Sequence, residues 1–376
     1  MKVALVHHWL TGMRGGEKVL EAFCELFPQA VIFTLVCDPP SISDKIRRHR
    51  IVASFLQKLP GSPSRFRAYL PLFPMAAARL DLCGYDMVIT SDASLIKAIR
   101  VPRGTPHVCY CHSPPRYLWD FYDLYRREEA GLLQRMAMPV ISPLLRKADY
   151  RAAQSIDHFI ANSAAVAERI RRHYQRDATV IYPPVDVDYF TASPRQPEDF
   201  YLFVGQLVAY KRADLAIAAF ARLDRRLIIV GDGPQRHRLE ASAPKNIRFI
   251  GWTTDEELRS YYARCRSLIF PNEEDFGIVP VEAQAAGAPV IAFAKGGALE
   301  TVFDGQTGVH FSDPTPAGLQ AAITRFESIA PTLSPTACLA NSRRFSREIF
   351  TQRIREFLTT VVPARLTESL GCSMTA

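Results

Sequence analysis

"YLFVGQLVAYKRADLAIAAFARLDRRLIIVGDG", residues 201–233, contains two short apolar runs, Tyr201–Val204 and Leu227–Val230, each ending in a glycine turn. Runs of this length, rich in Val, Ile and aromatic residues and bounded by glycine, suit buried strands. The residues between them are numerous enough for the crossover helix that a parallel strand pair requires. The same alternation recurs on both sides. Upstream, strands are expected at Val3–His7, Val31–Leu35, Met87–Thr90, His107–Cys111 and Phe159–Asn162, with helices near 16–27, 92–99 and 164–173. Downstream, further strands are expected at Ile247–Ile250, Leu268–Phe270, Val290–Phe293 and Val309–Phe311. Such alternation predicts an α/β fold of parallel sheets with helices on both faces. Because it starts twice, around the proline-rich "YPPVDVDYFTASPRQPED" (182–199), it predicts two Rossmann-like, doubly wound domains facing across a cleft.

The expected boundaries are 1–178 for the first domain and 179–344 for the second. Thr254-Asp255-Glu256-Glu257 is a capping box opening a helix over 255–265, and Gly287 with Pro289 closes the helix that follows Gly277. A last helical stretch, about 341–361, finishes the second domain or, from about 345, packs back on the first; residues 363–376 read as a frayed tail.

The chain of 376 residues is 48% hydrophobic and 22% charged, which excludes a disordered chain and allows two domains with cores. Residues 1–190 carry 25 Lys and Arg against 18 Asp and Glu, so most of the net charge of +8 lies in the first half. Lys45, Arg47, Arg48, Arg50, Lys58, Arg65, Arg67 and Arg79 are interleaved with apolar residues and no acid, a composition that suits an anionic lipid surface or a solvated face over core residues. No nucleic-acid-binding motif accompanies the charge. Eight scattered cysteines and a beginning that reads as a strand fit a reducing cytoplasm. Cys109, Cys111 and His112 lie close together, but no second ligand pair at zinc spacing appears, so no metal is expected. No apolar run is long enough to span a bilayer, and any membrane contact is expected to be peripheral.

Ligands in open α/β sheets bind at the carboxyl ends of strands, which singles out four loops. In "LTGMRGGEKV" (10–19), Gly12, Gly15 and Gly16 precede a helix whose free amides suit an anion, with a tight turn without ligand as the alternative. The spacing departs from the dinucleotide fingerprint. In "FVGQLVAYKRADL" (203–215), Gly205 ends a strand and Lys211-Arg212 opens a helix. Cations at that end oppose the helix dipole, so neutralising a diphosphate competes with a plain solvated helix start. In "VGDGPQRHRL" (230–239), Gly231 and Gly233 suit backbone geometry. "EEDFGIVPVE" (273–282) places Glu274 before a helix and Glu282 within it, with the amides of Phe276, Gly277, Ile278 and Val279 between them. Two such carboxylates suit sugar hydroxyls, a glycosidase pair, or a capped helix with one buried acid. Glu273 and Asp275 read as solvated.

With these loops in this order, the chain resembles the family 4 retaining glycosyltransferases of GT-B fold, most closely the bacterial WbaZ-like mannosyltransferase group. The resemblance rests on "MKVALVHHWLTGMRGGEKVLEAF", "YCHSPPRYLWD", "FIANSAAVAERI", "VIYPPVDVDYF", "YKRADLAI" and "EEDFGIVPVEAQAAGAPVIA". It implies that Glu274 binds hydroxyls of the transferred hexose, Glu282 the ribose, and Lys211 the diphosphate, while His112 faces the hexose. It implies that Gly15 and Gly16 let their loop approach phosphates and acceptor, and that Gly296, Gly297 and Glu300 form a further turn near the donor. The family usually has arginine where this chain has Gln206, which lacks the charge, and Arg212 is the candidate substitute. The implied donor is GDP-mannose, without cofactor or obligatory metal. The implied acceptor is a polyprenyl-diphosphate-linked saccharide at the inner face of the cell membrane, in exopolysaccharide or O-antigen synthesis. A non-catalytic sugar-nucleotide-binding scaffold and a same-fold nucleotide-sugar epimerase are the alternatives.

Overall fold

Successive residues of the first strand go to different cores. In β1 (Val3–His7), Val3 and Leu5 pack in one apolar cluster, and Ala4 and Val6 in another. A strand turns alternate side chains to opposite faces, so a run apolar at every position is buried on both. The computed structural model describes residues 1–362; the stretch 363–376, read above as a frayed tail, lies outside the described residues.

The described chain divides into two compact units, residues 1–184 with 348–362, and residues 185–347. The first holds β1, β2 (Val31–Thr34), β3 (Ile51–Ala53), β4 (Met87–Asp92), β5 (His107–Cys111), β6 (His158–Ala161) and β7 (Thr179–Val180). They form one parallel sheet in the order β3-β2-β1-β4-β5-β6-β7. The second holds β8 (Tyr201–Val204), β9 (Leu227–Val230), β10 (Ile247–Gly251), β11 (Leu268–Phe270), β12 (Val290–Phe293) and β13 (Gly308–Phe311), parallel in the order β10-β9-β8-β11-β12-β13. Each sheet is Rossmann-like and doubly wound, the GT-B type of unit.

The first unit runs past residue 178 because β7 pairs with β6, Ile160 opposite Thr179 and Ala161 opposite Val180. The stretch 182–199 is not a bare linker: it contains the helix Val187–Thr191, and Val185 bridges to Ser346. The expected final helix is two, Pro335–Arg343 and Arg347–Val361. Phe350, Ile354 and Leu358 of the second recur every four residues and enter the core of the first unit beside Val3, Leu5 and Met87. The expected helix over 92–99 is the end of β4 and a short 3-10 turn, Ile96–Ala98. The basic segment 45–80 turns most of its apolar residues inward: Leu56, Phe66 and Phe73 are buried, and Phe55, Tyr69, Leu70 and Leu72 pack against the same core, while Met75 is exposed. Among the described residues no helix is long and apolar enough to cross a membrane.

Candidate functional site

In the second unit β8 and β11 are neighbours, but the chain leaves β8 toward β9 and leaves β11 toward β12, on opposite sides. The loops at their carboxyl ends therefore diverge and leave a crevice, the place where open α/β sheets bind ligands. The loop after β8 is anchored by the Gly205 amide donating to the Val230 carbonyl (3.0 Å) and that of Leu207 to Asp232 (2.9 Å). The turn after β9 lies close against it because Gly231 and Gly233 have no side chain: a Cβ there would stand 2.0 Å from the Gly205 oxygen and 2.5 Å from that of Leu207. The helix begins at Ala213, later than expected, after a 3-10 turn Ala209–Lys211 and a left-handed Arg212 (φ 56°). This irregular step takes Lys211 out of the helix and toward β11. Arg212 Nε donates to Asp214 Oδ1 at 3.3 Å, and Gln206 in the same loop is half-buried.

The loop after β11 supplies the partner. Lys211 Nζ donates to Glu274 Oε1, which also accepts from Asn272 Nδ2 at 3.2 Å. Two candidate residues 63 positions apart thus meet at the switch point. Gly296 and Gly297 hold the backbone of this loop: the Gly297 amide donates to the Glu274 carbonyl at 2.8 Å, and a Cβ on Gly297 would lie 2.2 Å from the Phe276 oxygen. Phe276 is buried edge-on against Phe345, with ring centres 5.3 Å apart. Gly277 (φ 85°) caps the helix Ile278–Ala285, in whose first turn Ile278 and Val279 are half-buried. Glu282 is buried in the second turn and accepts from the Tyr262 hydroxyl at 3.0 Å. Burial and the Glu282 charge push that hydroxyl well above the ordinary tyrosine value, so it stays a donor. Glu300 lies half-buried in the short helix Ala298–Thr301.

Two expectations here are corrected. Glu273 is ion-paired with Lys295 at 2.9 Å rather than merely solvated, and Asp275 is buried. Asn272, Tyr262 and Lys295 are contacts the sequence reading missed; only the neighbourhood of Asn272 to Glu274 in the chain offered a signal.

In the first unit the corresponding switch lies between β1 and β4. Ser91 Oγ stands between His7 Nδ1 (3.0 Å) and His112 Nε2 (2.8 Å), and His8 Nδ1 lies 3.2 Å from the Ser91 carbonyl. A Cβ on Gly16 would lie 3.5–3.6 Å from all three imidazoles, and Gly15 begins the helix Gly15–Leu26. Burial, aided by the neighbouring imidazoles, pushes His112 well below the ordinary histidine value and His8 down to about 3. Both are neutral near neutrality, so they act through hydrogen bonds rather than charge. His7, His8 and Glu17 bring one ligand atom each within 4.8 Å of one another, a donor set able to take a divalent ion. Cys109 and Cys111 face an apolar cluster with Phe159 and Val166, and burial holds both thiols protonated, Cys109 up at about 12. They are poor metal ligands in that state.

Behind His112 lies an ionic cluster that nothing in the sequence announced. Lys97, fully buried, has Nζ 2.8 Å from Asp92 Oδ2 and 2.6 Å from Asp149 Oδ1. Asp149 Oδ2 accepts from Trp119 Nε1 (2.8 Å) and the Tyr174 hydroxyl (2.7 Å). The Asp92 carbonyl accepts the His112 amide at 2.8 Å, so the cluster braces the backbone under that imidazole.

The buried histidines have a stability consequence. Burial lowers His8 from 6.5 to about 3 and His107 from 6.5 to about 4. The unfolded chain takes up protons as the pH falls through the ordinary value, whereas the folded chain does not, so stability is full above that value and is lost below it. Acidification from about pH 7 to about pH 5 is expected to remove roughly 1–2 kcal/mol for each such imidazole. Thermal melts across this range check it; a melting temperature unchanged down to the lower pH would contradict it.

Both halves of the chain match described families. Residues 13–189 match "Glycosyltransferase Family 4", and residues 189–341 match "Glycosyl transferases group 1". The chain is 30% identical over 245 residues to a glycogen synthase of Mycobacterium tuberculosis, covering 58% of this chain and 59% of that protein. It is 34% identical over 200 residues to a D-inositol 3-phosphate glycosyltransferase of Geodermatophilus obscurus, covering 44% of each. The chain thus spans about half to three-fifths of the length of the curated relatives it matches. Among solved structures, sucrose-phosphate synthase from Thermosynechococcus elongatus superposes with a TM-score of 0.73 at 20% identity, over 96% of this chain and 98% of that one. Anabaena HepE in complex with UDP-glucose superposes with a TM-score of 0.69 at 19% identity, over 96% and 100%. At these identities the likeness is one of fold.

Proposed function

We propose that the chain, whose two halves are each matched by a glycosyltransferase family, is a family 4 glycosyltransferase of GT-B fold that transfers a hexose from a nucleoside diphosphate sugar with retention. The observation that carries this reading is the meeting of Lys211 and Glu274 at the β8/β11 switch point. With donor bound, Lys211 neutralises the diphosphate and Glu274 exchanges its contact with Lys211 for hexose hydroxyls. The amides of Phe276, Gly277, Ile278 and Val279 lie between Glu274 and Glu282 in the chain, and Glu282, positioned by Tyr262, takes the ribose. The bond from the anomeric carbon to the leaving phosphate breaks as the acceptor oxygen attacks from the same face. The leaving phosphate takes the acceptor proton, so no covalent protein nucleophile is needed. The diphosphate charge is met by protein cations, and the reading calls for no obligatory metal.

For the donor, the resemblance to the WbaZ-like group supports GDP-mannose, whereas a structural neighbour was solved with UDP-glucose. For the acceptor, the resemblance supports a polyprenyl-diphosphate-linked saccharide, assigned to the first unit. A panel of GDP and UDP sugars, assayed for transfer to a native lipid extract, tests this reading. Transfer from GDP-mannose, faster than from any UDP sugar, is expected; tight nucleotide binding without turnover on any acceptor would leave the scaffold reading.

Gln206 is the specific observation that favours the scaffold alternative. Restoring the cation with Gln206→Arg is expected to strengthen donor binding, and in the same assay an unchanged affinity would show that Lys211 and Arg212 already suffice.

A further inference from the structure

The helix Leu132–Gln154 leaves an apolar stripe in the open. Leu132, Met136, Val140 and Leu144 follow one another at four-residue spacing, with Leu133 beside them, and all five are between 67% and 84% exposed. Residues four apart share one helix face. The opposite side is buried, with Leu145 and Ala153 in the cores of the first unit and Asp149 on Lys97. Single exposed apolar residues are ordinary on protein surfaces; a continuous stripe along three turns is not.

The surroundings of the stripe are basic. Within the helix the single acid, Asp149, is buried on Lys97, Lys147 and Arg151 are exposed beside the stripe, and Glu128 and Glu129 lie before its first residue. The helix is also held in shape despite two internal prolines. Pro139 has no amide to offer the Arg135 carbonyl, and Arg126 Nε reaches that carbonyl instead at 3.4 Å, while Arg135 Nε returns to the Arg126 carbonyl at 3.0 Å. The stripe therefore stands on a braced helix rather than a frayed end.

We propose that this helix docks the protein on an anionic lipid bilayer, lying in the interface with Leu132, Leu133, Met136, Val140 and Leu144 toward the acyl chains and Lys147 and Arg151 on the headgroups. An interfacial helix has this division, an apolar face flanked by cations. The charge favours a bilayer over a second copy of the chain, because Lys147 and Arg151 of this helix are exposed while its one carboxylate, Asp149, is buried on Lys97. It also relocates the contact. The basic segment 45–80, the stretch whose composition suggested lipid, buries most of the apolar residues that insertion would need and leaves only Met75 of its large apolar side chains exposed. The proposal stands independently of the donor and of the transfer reaction.

Flotation of the full chain with phosphatidylcholine vesicles, with and without phosphatidylglycerol, tests it against two variants. The wild type is expected to float only with the anionic vesicles, and Met136→Glu with Val140→Glu is expected to lower binding at least about tenfold. Arg47→Glu with Arg48→Glu, in the segment 45–80, is expected to retain most of it. Thermal melts confirm that the exposed substitutions leave the fold intact. Failure of the wild type to float, equal flotation of the Met136/Val140 variant, or a wild-type dimer by light scattering that this variant abolishes without changing flotation would each overturn the proposal.

Discussion

Replacing Glu274 or Lys211 with alanine is expected to lower hexose transfer by a factor of about 10²–10³, with the melting temperature preserved. Both side chains stand on loops at the ends of β8 and β11, outside the apolar core of the second unit. Their side chains keep 16% and 17% exposure, so the partner left behind still reaches water and the cost to the fold is smaller than for a fully buried pair. The effect on transfer is larger because the proposed mechanism gives each a task in the transition state. Without Lys211, the charge that grows on the departing diphosphate has lost its nearest ammonium, and Glu274 remains beside it as a like charge. Without Glu274, the hexose loses the acceptor that orients its hydroxyls, and a small error in orientation is costly. The two residues touch, so the double variant is expected to lose less than the product of the single losses. Steady-state kinetics by release of nucleoside diphosphate measure this. A change within about threefold in either single variant would remove that residue from the machinery.

Replacing Lys97 with methionine is expected to destabilise the first unit by about 3–5 kcal/mol, because it leaves two buried carboxylates without their cation. That is a large part of the stability of an ordinary domain, about 5–15 kcal/mol. Burial pushes the Asp92 carboxyl up, but the Lys97 ammonium with the Ser94 amide outweighs it and holds the group below the usual carboxylate range. The stability this contributes is full above the ordinary carboxylate value and is lost as the pH falls through the folded one. Denaturant melts of Lys97→Met, and of the same change combined with Asp92→Asn and Asp149→Asn, measure the cluster. Partial recovery in the triple variant is expected, since neutral amides are cheaper to bury than unpaired charges. A single variant as stable as the wild type would show that the carboxylates find other partners.

Most strands of both sheets were legible because a strand buried on two faces is apolar at every position, as in Val3–Val6 and Leu227–Val230. The edge strands Ile51–Ala53 and Thr179–Val180 are too short to leave such a run. The helix Leu132–Gln154 was hidden for a different reason. Pro139 and Pro143 interrupt its pattern, and its stripe of Leu132, Met136, Val140 and Leu144 looks like core while lying outside it.

At the candidate site, the loop around Glu274 and Gly277 could be read from glycine and carboxylate placement. Its pairing with Lys211 depends on β8 lying beside β11, which is tertiary information. The cluster of Asp92, Lys97 and Asp149 left no trace at all, because its members come from separate elements and follow no period.

In the proposed function the loops after β8 and β11 hold a nucleoside diphosphate sugar for transfer with retention. The most direct test is the anomeric configuration of the product formed from an α-linked donor, read from the one-bond carbon–proton coupling at the anomeric carbon. An α-linked product, formed with one nucleoside diphosphate released per bond and absent in the Glu274→Ala variant, is the predicted result. A β-linked product, or release of free hexose without any acceptor adduct, would contradict it.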